Sequence, residues 1–332
     1  MRKNLNKALI VQDYVTLAHK QIKNNIEQSF SQVLLLAALL VLVTGLSLSS
    51  PFFMTWANFR NILDQTSLHI ILALGMTFVI CTGGIDLSVG AVAALSGVSI
   101  AYAMKSGVSV YPAVLLGLFT GVLIGAGNGL LISRLRINPF IITLGSMSVS
   151  RGLALIITGG IPIYGFDRSF TWWGSGHIGP VNSPIIMAGL LVAAGAFVLN
   201  MTRLGYYTLA LGGNEEALRR TGASTVFYKT MVYALCGLTA ALAGLISTAR
   251  LNTAEPLAGW MFELDAIAAV VLGGTSMNGG KGTVAGTVIA CFLLGVLRNG
   301  LTILSIPSYY HQLLIGIIIL TSVVISEIRS QK

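Results

Sequence analysis

The chain has 332 residues, 55% of them hydrophobic and only 9% charged, with a mean hydropathy of +0.83. A soluble domain carries about a quarter charged residues, so the composition excludes a soluble enzyme or binding module and describes a polytopic, all-α membrane protein. The net charge of +9 does not point to nucleic acid, because the basic residues gather at the ends of apolar segments and form no solvated stripe.

Residues 1–29 are polar and basic, with apolar residues at helical spacing (Leu5/Leu9, Val11/Val15, Ala18/Ile22/Ile26). This predicts a helix lying on the cytoplasmic membrane surface, ahead of a transmembrane domain over 30–332. A cleaved signal peptide is the other reading of this start, and the long polar lead argues against it. The first span is predicted at 33–48. Phe52, Phe53 and Trp56 then suit the headgroup zone. Further spans are predicted at 67–82, 88–104, 112–133, 139–160, 184–200, 228–249, 261–274, 283–304 and 309–326, giving ten in all. Merging the short segments would leave eight.

The stretch from Ile80 to Gly90 is a polar, glycine-rich interruption between two apolar runs. As one helix, 67–104 would measure roughly 57 Å, against a hydrocarbon layer of about 30 Å, so the helix must break. Gly83 and Gly84 free the backbone, and Asp86 or Ser88 can cap the helix that follows. Bare backbone at membrane depth is tolerated only where it is buried in protein or lines a watery cavity. A second interruption, from Gly273 and Gly274 through Asn278 to Gly282, follows the short segment 261–274. Two glycine-broken helices in the two halves of a membrane protein point to a transport path.

With the amino terminus in the cytoplasm, fourteen of the twenty Lys and Arg residues fall inside. Arg60, Lys105, Arg168 and Arg250 fall outside, while Arg151 and Arg298 lie within spans. The positive-inside bias therefore places both termini in the cytoplasm.

No catalytic or metal-binding constellation is present: His19, His69, His177 and His311 are isolated, and no HExxH or CxxC occurs. Cys81, Cys236 and Cys291 sit in apolar sequence as small core residues. The segment Gly279-Gly280-Lys281-Gly282-Thr283 fails as a phosphate loop, because Gly282 stands where Ser or Thr should bind Mg²⁺. The cytoplasmic loop 201–228 holds a self-sufficient helix instead. Asn214 is a good N-cap, Glu215 and Glu216 occupy the first turn ahead of Ala217, Arg219 and Arg220 occupy the last, and Gly222 stops it.

Three stretches in order carry a family resemblance: Gly83-Gly84-Ile85-Asp86-Leu87-Ser88-Val89-Gly90, Ala210-Leu211-Gly212-Gly213-Asn214-Glu215, and Glu263-Leu264-Asp265-Ala266-Ile267 running on to Gly273-Gly274-Thr275. From about residue 58 to its end the chain resembles the permease subunit of ribose-type ABC sugar importers. The resemblance implies a large-bundle permease of about ten helices in a bacterial inner membrane. It further implies a second permease subunit, identical or not, a cytoplasmic ABC ATPase that binds the ATP and grips the loop helix, and an extracytoplasmic sugar-binding protein. No cofactor is expected in this chain, and lipid is its surrounding medium. The coupling residues would be Gly212, Gly213, Asn214, Glu215, Glu216, Ala217, Arg219 and Gly222. Candidates for the path or a gate are Gly83, Gly84, Asp86, Ser88, Asn128, Gly273, Gly274 and Asn278. Glu263 and Asp265 are candidates for receptor docking, with favourable placement at a helix N-terminus as the structural reading. Alternatives are an ABC permease for nucleosides, autoinducer-2 or branched-chain amino acids, and an ion-coupled secondary transporter, for which Asp86 alone is thin support.

Overall fold

A computed structural model describes residues 32–330, so the expected surface helix over 1–29 lies outside the described residues. The described chain is helical throughout its apolar segments. In order it forms α1 (Gln32–Ser49), α2 (Trp56–Cys81), α3 (Val89–Lys105), α4 (Val110–Leu135) and α5 (Pro139–Thr158). There follow α6 (Arg168–Ser175), α7 (Ser183–Met201), α8 (Arg203–Arg220), α9 (Thr225–Leu251), α10 (Phe262–Leu272), α11 (Val284–Ile303) and α12 (Ser308–Ser330). Two-residue strands, β1 (Ile163–Tyr164) with β4 (Thr253–Ala254) and β2 (His177–Ile178) with β3 (Val181–Asn182), pin the connections at the end opposite α8. Among the described residues, seven helices, α1, α2, α4, α5, α7, α9 and α11, are long and apolar enough to cross a membrane. α3 is shorter at 17 residues, and α10 has only 11.

α2 corrects the expected start of the second span at residue 67. It begins at Trp56, with Thr55 capping the Asn58 amide, and runs 26 residues. Its first three turns look unsuited to lipid because they carry Asn58, Arg60, Asn61, Asp64 and Gln65. The bundle supplies partners: Asn58 Nδ2 donates to Asn299 Oδ1 at 3.0 Å, Arg60 donates to Asn182 Oδ1 at 2.7 Å, and Asn182 in turn reaches Asp64. Interhelical hydrogen bonds of this kind hold polar side chains in a setting without water.

α2 and α9 form the axis of the molecule. The apolar window of α2 is 78% buried and that of α9 61%, whereas α1 and α5 bury only 6% and 17% of theirs. Ile71, Leu72, Met76, Phe78, Val79, Tyr233 and Ile246 build the centre, and the leucines and phenylalanines of α1, α4 and α5 turn outward. Lipid tails are as apolar as these side chains, so close packing holds the helices together more than apolar burial does. The glycine stripe of α4 serves this packing. Gly121, Gly125 and Gly129 lie against the backbone of Gly237, Tyr233 and Thr230 on α9, where an added methyl would collide. The face is thus covered within the chain and is not a surface between subunits.

Candidate functional site

α8 carries the expected coupling helix. The loop reading placed helix only from Asn214 onward, yet the chain is already helical from Arg203, with Thr202 Oγ1 accepting from the Gly205 amide. At Asn214 the backbone leaves helical geometry (φ −163°, ψ 96°), and its side-chain oxygen caps the Ala217 amide at 2.9 Å. Asn214 is therefore the N-cap the sequence predicts, set inside a kink between two helical halves. Thr221 closes the second half, and Gly222, at φ +84°, turns the chain away. Glu216 is bonded by Arg219 and by Arg220 Nε at 3.4 Å, and Glu215 pairs with Lys229 on α9 at 2.6 Å. The Arg219 hydrogen bond holds the Glu216 carboxyl below the ordinary glutamate range. Glu216 is open to solvent, where screening leaves an ion pair little energy, so its pairs orient the half-helix more than they stabilise it.

The three glycine-rich stretches that lie far apart in sequence meet at one point. α2 ends at Cys81, whose carbonyl accepts from the Gly280 amide at 2.9 Å. Gly212, on the first half of α8, packs against that same carbonyl and against Gly279 and Gly280, where a Cβ would overlap all three. Gly279, at φ +81°, faces both Gly212 and Gly83, and the Asn278 carbonyl lies over Gly83. The backbones of Gly83, Gly212 and Gly279 thus touch with no side chain between them. Beyond the junction, Gly273 packs on Gly286 of α11, and Gly274 (φ +88°) ends α10, with its amide and that of Thr275 returning to Val271 and Val270.

Asp86 follows three residues after Gly83 and is 1% exposed. Its Oδ1 accepts from the amide and hydroxyl of Ser88 at 2.9 and 2.6 Å, and the Ser88 oxygen accepts from Asn128 Nδ2 at 3.1 Å. Ser88 does not cap α3 with its side chain, contrary to expectation, because its oxygen is taken by Asp86 and Asn128. Asp86 instead caps the Ser88 amide just ahead of the helix. The bend's Ile85 carbonyl accepts from Thr143 on α5 and Tyr233 on α9, each at 3.4 Å. The bared backbone is buried in protein, one of the two settings in which it is tolerated at membrane depth.

Glu263 and Asp265 occupy the first turn of α10 as expected, but that turn is not at the surface. Gly259, just ahead of it, packs on the backbone of Gly90 in α3, beside Glu263. The connection from β4 therefore dips into the bundle, and α10 begins partway through it. Asp265 binds Arg298 of α11 at 2.5 Å and lies 4.0 Å from His69 of α2. Its carboxylate is engaged in that pair, the structural role the helix N-terminus also allows. Arg151 binds the carbonyls of Pro256 and Ala258 at 2.9 and 2.6 Å and thereby holds the dipping connection to α5. Sequence reasoning noted Arg151 and Arg298 as charges inside spans but could not pair them. The Asp265–Arg298–His69 cluster joins three helices distant in sequence, and backbone carbonyls leave no mark on residue types.

Among the described residues, no group of three or more His, Cys, Asp or Glu side chains is placed to hold a metal ion. The profile of a family described as branched-chain amino acid transport system / permease component matches residues 58–323. The ribose import permease protein of Escherichia coli K12 is 46% identical over 296 residues, covering 88% of this chain and 92% of that one. The D-allose transport system permease protein of the same organism is 38% identical over 295 residues, covering 89% and 90%. The galactose/methyl galactoside import permease protein of Salmonella typhimurium is 35% identical over 310 residues, covering 88% and 92%. The match spans α2 to α12, including the glycine junction and the kinked α8, and the chain belongs to this permease family, alongside its ribose-type sugar importers.

Proposed function

We propose that the chain is the membrane permease subunit of an ATP-binding-cassette importer for a monosaccharide, a pentose or similar sugar. The printed functions of the ribose, allose and galactose relatives favour sugars over amino acids or nucleosides. The subunit lies in a bacterial inner membrane as a multi-pass protein with ten crossings and both termini in the cytoplasm. It pairs with a second permease, receives sugar from an extracytoplasmic binding protein, and leaves ATP binding to a cytoplasmic ATPase.

The observation that carries this reading is the contact of Gly212 with the Cys81 carbonyl and with Gly279 and Gly280. ATPase closure pushes the helix from Asn214 to Arg220. Because the first half of α8 rests directly on the ends of two broken segments, that push reaches α2 and the segment between α10 and α11 without passing through a flexible side chain. Movement of these segments switches the path between outward and inward access. A permease of this kind gains from weak sites, since a tight one would trap the sugar, and affinity belongs to the receptor.

The test is uptake by proteoliposomes holding the permease with its ATPase and receptor. Deletion of residues 214–220 is expected to abolish uptake while insertion persists and ATP hydrolysis no longer responds to the loaded receptor. Unaffected ATP-dependent uptake overturns the reading, and uptake that survives ATP depletion but collapses with the ion gradient establishes a secondary transporter.

A further inference from the structure

A cavity of about 250 Å³ lies among α2, α9, α10 and α11, toward the end of the bundle opposite α8. Gln65, His69, Ser247, Arg250, Phe262 and Arg298 face it. His69 stands twelve residues, or about 18 Å, up α2 from the Cys81 junction. Gln65 and Arg250 are exposed, so the cavity opens to the surface. It is smaller than the roughly 300–1,000 Å³ of pockets for larger ligands.

The chemistry of its walls is specific. The Arg298 guanidinium spends one donor on Asp265 at 2.5 Å and approaches His69 Nε2 at 3.5 Å. Arg250 gives one donor to the Asp64 backbone carbonyl at 3.3 Å. A guanidinium has five donors, so both side chains keep capacity for a guest, and Gln65 adds an amide. Phe262, stacked edge-on against His69 at 5.5 Å, supplies an apolar face. Each cation also has a carboxylate beside it: Asp265 binds Arg298, and Asp64 lies within electrostatic reach of Arg250. The walls set a few donors in a mostly apolar surface, to which Leu68, Leu251 and Phe262 contribute, and each arginine has a carboxylate near it, which suits a neutral polyhydroxyl guest.

We infer that this cavity is a transient monosaccharide site within the permease, occupied after release from the receptor and before the glycine junction opens. The inference rests on the sugar-import reading above and adds to it a place where the sugar pauses. Gln65, Arg250 and Arg298 donate to its hydroxyls, and Phe262 covers one face.

The experiment uses the full importer with Ser247→Cys. The native Cys81, Cys236 and Cys291 are buried, so labelling reports the new thiol. A membrane-impermeant maleimide added from the receptor side is expected to label it. D-ribose, D-allose or D-galactose in excess should slow that labelling several-fold, and ribose 5-phosphate should not. Absence of labelling, which marks a lipid-filled crevice, overturns the inference, as does labelling that no sugar slows or that sugar and sugar phosphate slow alike. In a second arm, Ser247→Phe fills the cavity and should lower uptake about tenfold while receptor-stimulated ATP hydrolysis continues, as expected where a weak site sits on the path. Unchanged uptake with this variant also overturns it. If the unmodified importer takes up none of these sugars with ATP, the sugar-import reading fails instead, and the labelling arm registers that separately.

Discussion

Asp86 and Asp265 are both carboxyl groups inside the bundle, and they are kept there by different means. Asp86 meets the hydroxyl and amide of Ser88 and the Cys236 thiol, and among the described residues no cation contacts it. Asp265 meets a guanidinium. The two should respond differently to loss of charge. Asp86→Asn is expected to assemble and transport normally, since a neutral amide oxygen can accept the same bonds; loss of uptake in a normally assembled complex would show that the charge itself is used. Asp265→Asn should lower the unfolding free energy of detergent-solubilised protein by about 1.5–3 kcal/mol, because Arg298 loses a charged hydrogen-bond partner. Adding Arg298→Gln should recover part of that loss, and thermal melting of the single and double variants checks it. Asp86 was legible in the sequence because its partner Ser88 lies two residues away. Asp64 and the cluster of His69, Asp265 and Arg298 were not, because their partners are distant in the chain.

At the scale of elements, the glycines of α8 are unequal. Gly212 is wedged against the ends of two other segments, whereas a methyl on Gly213 would enter open space. Gly212→Val is expected to reduce uptake at least about tenfold by separating segments that must move as a unit, while Gly213→Ala changes it little; equal effects in the proteoliposome assay would refute the junction. Asn214→Ala removes the cap of the second half of α8 and should cost about 1 kcal/mol of local stability, read as faster amide exchange over 215–220. The Glu216 carboxyl is held below its usual range, so its contribution is full above the unfolded value and fades only as acid protonates it in the folded helix. Coupling should therefore not change near neutrality through this group, and pH-dependent exchange over the same residues tests that. The cap, the charges of this helix and its glycine stop were readable in sequence because they are local rules. The preceding half, 203–213, was not, because Gly212 and Gly213 at its end read as loop until tertiary packing fixes Gly212.

Over the whole molecule, ten apolar segments were legible from hydropathy, and each is helical, with ends displaced where polar turns find partners within the bundle. The enclosed helices, α2, α3 and α9, could not be singled out, since a chain apolar on every face does not show which side meets lipid. Both termini are expected in the cytoplasm, on the strength of the positive-inside bias, and reporter fusions at each end check it: a periplasmic signal from either refutes that placement, and from one end alone it also refutes the even count of crossings. The dipping connection held by Arg151 bears on how such chains diverge. Arg151 grips carbonyl oxygens, and every amino acid possesses one. The tether therefore makes no demand on the side chains at 256 and 258, while Glu263, on α10 just past the loop, lies within electrostatic reach of the same guanidinium and leaves part of its charge answered there.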